Sequence, residues 1–287
     1  MPNEVNNRLI QFADDTKIWK IIRSINDRDS LQNDLNSLTK WSKKWLLRFN
    51  PKKCKVLHLG HNNPKFKYTM DEQVLEETFM EKDLGVLISN DLKCGEQCNK
   101  SAKKAMRVLG MIKRSFKHLD EESLKLLYCS FVRPHLEYCI QAWSPYFKKD
   151  IDTLERVQRR ATKLIPRFKK LSYEERLERL KLIPLEQRRL RGDLIETYKI
   201  LSNKVDVNRK IFFQLADTVN LRGNSMKLYK QRSRLIARQN FFSQRVVDFW
   251  NDLPNYTVQA PSVNSFKARL DKHWSLKKWN DIKAQGR

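Results

Sequence analysis

The sequence lacks the features that mark membrane, secreted and fibrous proteins. No apolar run approaches the roughly 18 residues that cross a bilayer, and the polar opening MPNEVNNR has no signal-peptide character. Only seven glycines and nine prolines occur among 287 residues, while hydrophobic residues make up 40%, so neither a collagen-like chain nor general disorder fits. We therefore expect a folded intracellular protein, in the nucleus, the cytoplasm or both, with no membrane partner.

Cysteines are few and do not form a recognisable framework. Their number is odd and their spacing irregular: Cys54, Cys94, Cys98, Cys129 and Cys139. This excludes a typical secreted disulfide scaffold and favours a reducing compartment. Cys94 and Cys98 can share a helix face, but a zinc site needs a second pair of ligands, and His118 and His135 are not placed to complete one. Ordinary buried thiols are the favoured interpretation.

Acidic residues are also scarce relative to basic ones. Thirty-three Asp and Glu face fifty-eight Lys and Arg, which gives a formal charge of +25. A surface this positive repels itself unless a polyanion lies against it, so nucleic acid is the leading class of partner. A merely soluble or ribosome-like basic protein, and a protein at an anionic membrane surface, remain alternatives on charge alone.

A β-hairpin is predicted close to the start of the chain, at RLIQFADDTKIW. Residues 9–12 and 18–22 favour extended structure, and ADDT between them is typical of a tight turn. The hairpin therefore carries Asp14 and Asp15 at its tip. Because successive side chains of a strand point to opposite faces, one of the two aspartates should dominate any shared site.

A helix lying on a small sheet is predicted to follow the hairpin. Asp29 or Ser30 can cap this helix, and Pro51 in NPKK prevents its continuation. Its apolar residues recur at three- and four-residue steps: Leu31, Leu35, Leu38, Trp41 and Trp45. The segments KVLHLG, KFKYTM, QVLEETF and DLGVLIS have strand character and would extend one small antiparallel sheet.

Helical spacing dominates from Gly95 onward. It is found in NKSAKKAMRVLGMIKRSF, DEESLKLLYCSFV and DIDTLERVQRRATKLI, and LSYEERLERL has Ser172 and Glu175 in capping-box spacing. We therefore predict an α+β fold of three parts. Sheet and helix occupy residues 1–90, a helical region occupies residues 91–170, and a mainly helical region of unknown role occupies residues 171–287.

A basic run begins in the third of these helices. Leu154, Val157, Ala161 and Leu164 can share one helix face, and the cations lie away from it. Glu155 is the single acid beside seven basic residues: Arg156, Arg159, Arg160, Lys163, Arg167, Lys169 and Lys170. A solvated charged face is the plain interpretation, but this excess goes beyond what solubility requires and favours contact with phosphates.

The last part of the chain mixes arginines with Phe241, Phe242, Phe249 and Trp250. Aromatic rings among arginines can stack on bases. Val246, Phe249 and Trp250 nevertheless have helical spacing, which favours a place in the core.

The paired aspartates suggest binding of hard divalent cations. A two-metal site for phosphoryl transfer needs carboxylates from at least two chain segments, and Asp14 and Asp15 supply one. An isolated Asp-Asp pair is most often a solvated turn.

Several ordered motifs extend the hairpin signal. FADDT, LTKWSKKWLLRFNPKKCKVLHLG, EKDLGV, RPHLEYCIQAWSP and RVVDFWNDLPNYTVQAPSVNSFKARLDKHW occur in that order over nearly the whole chain. Together they resemble the reverse transcriptase of LINE-type (non-long-terminal-repeat, jockey-like) retrotransposons. The resemblance implies that residues 1–90 are a partial palm and residues 91–170 a thumb, which would hold an RNA and DNA template–primer duplex.

The resemblance also implies roles for single residues. Asp14 would bind the catalytic Mg²⁺ or Mn²⁺, and Asp15 would assist it. Lys53, in NPKKCK, would lie near the incoming triphosphate and protonate the pyrophosphate, although it can equally be one more member of a basic run. Leu84 and Gly85, in KDLGV, would form the primer grip, where a tight turn approaches the primer strand.

A polymerase of this family also needs a fingers subdomain, an earlier palm aspartate and a floor for the nucleotide site. None of these fits into MPNEVNNRLIQ. We therefore expect an N-terminally truncated reverse-transcriptase fragment that does not polymerise by itself. A non-catalytic nucleic-acid-binding module derived from such an element is the alternative, an unrelated basic structural protein is a third hypothesis, and no protein partner is predicted.

Overall fold

The computed structural model describes residues 5–216, 224–275, 277 and 279–284. The described residues form long helices and short strands, which confirms the α+β class. They divide into two compact units, one ending at Lys93 and the other beginning at Cys94. The predicted division near residue 170 stays a prediction.

The predicted hairpin is present in the first unit. Strand β1 (Arg8–Phe12) pairs antiparallel with β2 (Asp15–Trp19), and Phe12 lies opposite Asp15. The loop therefore has two residues, Ala13 and Asp14, and Ala13 has a φ of 52°. The second strand begins at residue 15 instead of residue 18, because a two-residue loop with positive φ at its first position matches the twist of the paired strands.

Helix α1 (Ile25–Lys44) starts earlier than predicted. Ser24 is its N-cap, and Ser24 and Asp27 form a capping box with their side chains and backbone N–H groups. The prediction of a cap at Asp29 or Ser30 was wrong because aspartate replaces the usual Glu or Gln in this box. Trp45 lies past the last turn and is 59% exposed, so it is not part of the buried face.

A buried carboxylate fixes the chain that enters the hairpin. Asp34, on α1, is 1% exposed. Its two oxygens accept hydrogen bonds from the backbone N–H groups of Asn6 at 3.0 Å and Asn7 at 2.9 Å. These bonds attach the segment before β1 to the helix.

The remaining strands of the first unit are short and pair in twos. They are β3 (Lys55–Leu57), β4 (Thr69–Met70), β5 (Gln73–Val74), β6 (Glu76–Thr78), β7 (Met80–Asp83) and β8 (Val86–Ser89). β4 pairs with β5 and β7 with β8 in antiparallel fashion, whereas β3 and β6 are parallel. The prediction of one antiparallel sheet was therefore wrong for the described residues, because the strands have only two to four residues between polar turns. Leu35, Tyr68, Met70 and Leu75 form their common core, and Ile18 packs against it.

The second unit is helical, as predicted. Its elements are α2 (Gly95–Ser115), α3 (Glu121–Leu127), a π-helical segment (Tyr128–Val132), α4 (Pro134–Glu137), α5 (Ile140–Trp143), α6 (Lys148–Ala161), a 3-10 segment (Pro166–Lys170), α7 (Tyr173–Arg179), α8 (Leu185–Leu201), α9 (Arg209–Phe212), α10 (Ile236–Gln239), α11 (Phe242–Arg245), α12 (Val247–Asn251), α13 (Asn255–Val258), α14 (Val263–Ser275) and α15 (Trp279–Ala284). The predicted capping box of Ser172 and Glu175 opens α7. None of the helices among the described residues is long and apolar enough to span a membrane.

The central helices of the second unit are α6 and α8. α2 and α8 both pack against α6, and α14 packs against α8.

The aromatic residues of the last part of the chain lie in its core. Val246 and Trp250 are fully buried and Phe249 is partly buried, which confirms the prediction that they are core residues.

Asp34 provides a test of how the hairpin is held. We expect Asp34→Ala to lower the free energy of opening of the β1–β2 amides by about 1 kcal/mol, because two partly buried N–H groups of the preceding segment lose their acceptor. Hydrogen exchange followed by mass spectrometry measures this locally, and Asn33→Ala, an exposed neighbour on α1, is the control. Equal exchange in both variants would contradict the role of Asp34.

Candidate nucleic-acid interface

The two aspartates lie at the exposed tip of the β1–β2 hairpin. Asp14 is the second loop residue and Asp15 is the first residue of β2, and both are exposed. Among the described residues, neither carboxylate has an ion pair or a hydrogen-bond donor. Asp15 shares a strand face with Lys17 and Trp19, while Thr16 and Ile18 point to the other face and Ile18 reaches the core.

The hairpin tip supplies only part of the ligand set that a two-metal site for Mg²⁺ or Mn²⁺ requires. No group of three or more His, Cys, Asp or Glu that could hold a metal occurs in the described part of the chain. Asp14 and Asp15 offer carboxylates from one segment only, whereas the two-metal arrangement needs at least two segments.

Lys53 lies in the exposed turn between α1 and β3. Its backbone N–H donates to the Asn50 carbonyl at 2.9 Å, and the Asn50 side chain accepts from the Lys52 N–H at 3.1 Å. In the part of the chain that the structure describes, no hydrogen bond or ion pair joins Lys53 to Asp14 or Asp15.

Leu84 and Gly85 form the two-residue loop between β7 and β8. Their φ angles are 45° and 90°, and Asp83 lies opposite Val86. The tight turn predicted at KDLGV is thus present. Leucine in the left-handed region costs roughly 1–2 kcal/mol relative to glycine, and Leu84 is 50% exposed, so burial of its side chain offsets little of that cost.

One ion pair brings the two hairpins together. Lys17, on β2, pairs with Asp83, the last residue of β7. The strand that carries Asp15 therefore lies beside the Leu84–Gly85 turn. Both ends of the pair are partly exposed, so it contributes alignment more than stability.

The seven predicted cations all lie on the surface of the second unit. Leu154, Val157 and Ala161 are buried on the inner side of α6, as predicted from their spacing. The exposed cations occupy α6, the turn after it and the 3-10 segment: Arg156, Arg159, Arg160, Lys163, Arg167, Lys169 and Lys170. Phe168 is fully buried and fixes the 3-10 segment to the core.

The single acid of this run does not lie on that surface. Glu155 is 8% exposed, and its carboxylate accepts hydrogen bonds from the Leu185 N–H at 3.0 Å and from the Tyr173 hydroxyl. Gln158 donates to the Tyr173 oxygen at 2.8 Å and accepts from the Tyr128 hydroxyl at 2.7 Å. From residue 156 to residue 170, the exposed surface therefore carries positive charge only.

Six of these cations have no ion pair with an acid within the described residues: Arg156, Arg159, Arg160, Lys163, Lys169 and Lys170. Arg167 pairs with Glu121 at 2.8 Å, and the Arg159 guanidinium lies 4.0 Å from the centre of the Tyr173 ring. Cations without an acidic partner are suited to contact phosphates, because no internal ion pair has to break first.

The prediction did not include a second group of cations, on α2. The inner side of this helix is buried through Cys98, Ala102, Ala105 and Leu109. Its exposed side carries basic residues at positions three and four apart: Lys100, Lys103, Lys104 and Arg107. The helical spacing in NKSAKKAMR is the signal that could have identified them.

Cys94 and Cys98, at the start of α2, are buried free thiols, which agrees with the favoured interpretation of the sequence. A sulfur–sulfur hydrogen bond raises the pKa of Cys98 and lowers that of Cys94. Neither thiol is part of the basic surface.

The pKa of Glu155 gives a measurable signature of this architecture. Burial raises it above the ordinary value of 4.5, and the bonds from Tyr173 and Leu185 offset part of the rise. A carboxyl with a raised pKa binds its proton more tightly in the folded state. Its contribution to stability is therefore complete below about pH 4.5 and is lost as the pH rises through the folded pKa.

We expect Glu155→Gln to remove this fall in stability as the pH rises above about 4.5, because an amide does not titrate. Urea unfolding at a series of pH values measures the slope. Glu178→Gln, at an exposed glutamate on α7, should keep the wild-type slope. Identical slopes in all three proteins would show that Glu155 is not buried as a carboxyl.

Comparisons of the chain with protein-family models, with curated proteins and with solved structures each find no match. Any assignment of function therefore depends on the motifs of the sequence and on the geometry described above.

Proposed function

We propose that this chain is part of an RNA-directed DNA polymerase of a LINE-type retrotransposon. We further propose that, by itself, it binds the backbone of a template–primer duplex without polymerising. The observation that supports binding is the exposed surface of residues 156–170, where seven cations lie outward and the single neighbouring acid, Glu155, is buried.

Backbone binding follows from the kind of residues on this surface. Lysine and arginine contact phosphates without reading bases, and each contact releases condensed counterions. The seven cations lie on α6, on the turn after it and on the 3-10 segment anchored by Phe168. Because their backbone is already ordered, binding has to fix only the side chains. RNA and DNA duplexes of any sequence are the expected partners.

The two hairpins support the polymerase origin of the chain. The FADD and KDLGV motifs both form two-residue turns, and the Lys17–Asp83 pair sets them side by side. In a reverse transcriptase, a carboxylate turn and a primer grip have to be neighbours because both act at the primer end. Under this proposal, Asp14 and Asp15 are the carboxylate turn and Leu84 and Gly85 are the grip.

The same geometry argues for a chain that does not polymerise alone. Among the described residues, two exposed carboxylates from one turn have no second segment of metal ligands beside them, and no hydrogen bond or ion pair joins Lys53 to them. Positioning of the reacting groups supplies a large share of the rate of such reactions, and it is lost when part of the ligand set is absent.

A non-catalytic binding module derived from such an element is the alternative function. It is favoured by the exposure of Asp14 and Asp15 and by the intact basic surface, since a module that only binds does not need the carboxylates. Flanking genomic DNA distinguishes the two: an in-frame upstream palm indicates a polymerase, and unrelated exons indicate a module.

Salt dependence tests the basic surface. We expect affinity for a DNA duplex to fall steeply between about 50 and about 200 mM salt, and Arg160→Gln/Lys163→Gln to reduce the slope of log K against log salt by about 0.9 per lost contact. Fluorescence anisotropy measures both quantities. The control Lys204→Gln/Lys210→Gln removes two exposed charges elsewhere on the second unit. If both double variants change the slope equally, net charge and not this surface determines binding.

Primer extension tests the catalytic part of the proposal. With primer, template, deoxynucleotides and either Mg²⁺ or Mn²⁺, we expect no extension by the wild-type chain or by Asp14→Ala. Template-dependent extension that Asp14→Ala abolishes and Asp29→Ala, at an exposed surface acid, preserves would show that the chain has a working active site.

A further inference from the structure

The second unit contains a cavity that lies apart from the seven cations described above. Its volume is about 440 Å³, within the range of small-molecule sites. It lies where the start of α4, the α7–α8 connection, the first turns of α8 and the last turn of α14 meet. Four cations line it, one or two from each of the first three elements: Arg133, Lys181, Arg188 and Arg191.

Two backbone irregularities bring cations to this cavity. Arg133 directly follows the π-helical segment, and its N–H donates to the Tyr128 carbonyl, five residues back, at 2.8 Å. Lys181 has a φ of 50°. Single π turns and left-handed non-glycine residues are both found often at functional sites, because each has a cost in stability.

Lys181 occupies a position that normally belongs to glycine. Its N–H donates to the Glu178 carbonyl at 2.9 Å, and the Leu182 N–H donates to the Leu177 carbonyl at 2.8 Å. This is the Schellman arrangement at the end of α7, in which glycine is the usual residue. The fold therefore requires a left-handed residue here but gives no reason for it to be a lysine.

The charges around the cavity do not cancel. Glu137 pairs with Arg188 and lies 3.6 Å from the Arg133 guanidinium, and Asp271 makes two bonds to Arg191, at 2.7 and 2.8 Å. Two carboxylates thus face four cations, and two positive charges remain. The Lys181 ammonium has no acidic partner among the described residues.

The position of the arginines strengthens their attraction for an anion. The side chains of Arg133, Arg188 and Arg191 are only 20%, 26% and 22% exposed. Charges that are partly removed from water interact more strongly than charges on an open surface. Leu182 and Trp274, both buried, form the apolar part of the wall.

We propose that this cavity binds a phosphate monoester joined to a flat ring, such as a nucleoside monophosphate. The phosphate dianion matches the two uncompensated charges. Each guanidinium also keeps N–H groups that are not bonded to Glu137 or Asp271 and can donate to phosphate oxygens. The nucleoside lies against Leu182 and Trp274. The same phosphate chemistry is found in a free nucleotide and at the 5′ end of a nucleic-acid strand. This site is independent of the proposed function, which stands if the site does not exist.

Isothermal titration calorimetry of the full chain tests the site with AMP, adenosine and inorganic phosphate. We expect AMP to bind and both fragments to bind at least tenfold more weakly, because each lacks one of the two recognised parts. Adenosine binding as tight as AMP would overturn the phosphate assignment, and phosphate binding as tight as AMP would overturn the apolar wall. No detectable AMP binding would overturn the site itself.

Lys181→Gly is the decisive variant because it removes the charge and relieves the backbone. We expect it to weaken AMP binding about tenfold while it keeps or raises the thermal unfolding temperature, so a loss of affinity cannot be attributed to unfolding. Unchanged AMP affinity in Lys181→Gly would overturn the proposal.

Three controls isolate the effect of this one cation. Asn203 has a φ of 52° in the same arrangement at the end of α8, outside the cavity, so Asn203→Gly reproduces the backbone change alone. Lys210→Gln removes one exposed charge elsewhere, and Arg160→Gln/Lys163→Gln neutralises part of the other basic surface. All three should leave AMP affinity unchanged, and a loss in any of them equal to that of Lys181→Gly would overturn the assignment.

Competition for AMP identifies the source of the phosphate. If a 5′-phosphorylated oligonucleotide displaces AMP and its 5′-hydroxyl counterpart does not, the site accepts strand ends. If neither displaces AMP, the site takes the free nucleotide. Both results support the phosphate monoester class. Displacement of AMP by both oligonucleotides to the same extent would contradict it.

Discussion

The buried carboxylate of Glu155 is the interaction on which the second unit's surface depends. An ionisable group this far from water is tolerated only when hydrogen bonds replace its hydration, and the Tyr173 hydroxyl and the Leu185 N–H provide them. The consequence is double. One side chain holds α6, the start of α7 and the start of α8 in register. The exposed surface of residues 156–170 carries no acid of its own, and within the described residues only Arg167 of its seven cations is paired, with Glu121.

A surface of this kind is destabilising for the free protein, because like charges at neighbouring helical positions repel one another. The apolar side of α6 and the full burial of Phe168 offset that repulsion. The core therefore holds the cations at fixed spacing, and ion pairs contribute little: within the described residues only Arg167 has one, with Glu121. A polyanion that approaches such a surface relieves repulsion as well as gaining contacts, which is the physical basis for regarding it as an interface.

Local sequence signals predicted much of this arrangement, and long-range ones could not. The period of Leu154, Val157 and Ala161 identifies the inner side of α6, and the short polar loops in FADDT and KDLGV identify the two turns. The inward direction of Glu155 depends on Tyr173 and Leu185, which lie 18 and 30 residues away. The expected single sheet failed for a related reason, since strands of two to four residues leave pairing to be decided by tertiary packing. The cavity around Lys181 assembles residues from four elements and has no local sequence signal.

Duplex binding and two-metal catalysis differ in how many of their groups must be present at once. This difference explains why the proposed function includes binding and excludes polymerisation. Phosphate contacts act nearly independently, so the proposed interface does not require every contact to be made at once. Two-metal catalysis requires carboxylates from separate segments at fixed distances, so the loss of one removes most of the rate. The turns that carry Asp14 and Leu84 keep their backbone geometry because two-residue loops are determined locally. Under the proposed function, local turn geometry and the basic surface can therefore both persist where the carboxylate set for two-metal catalysis is incomplete.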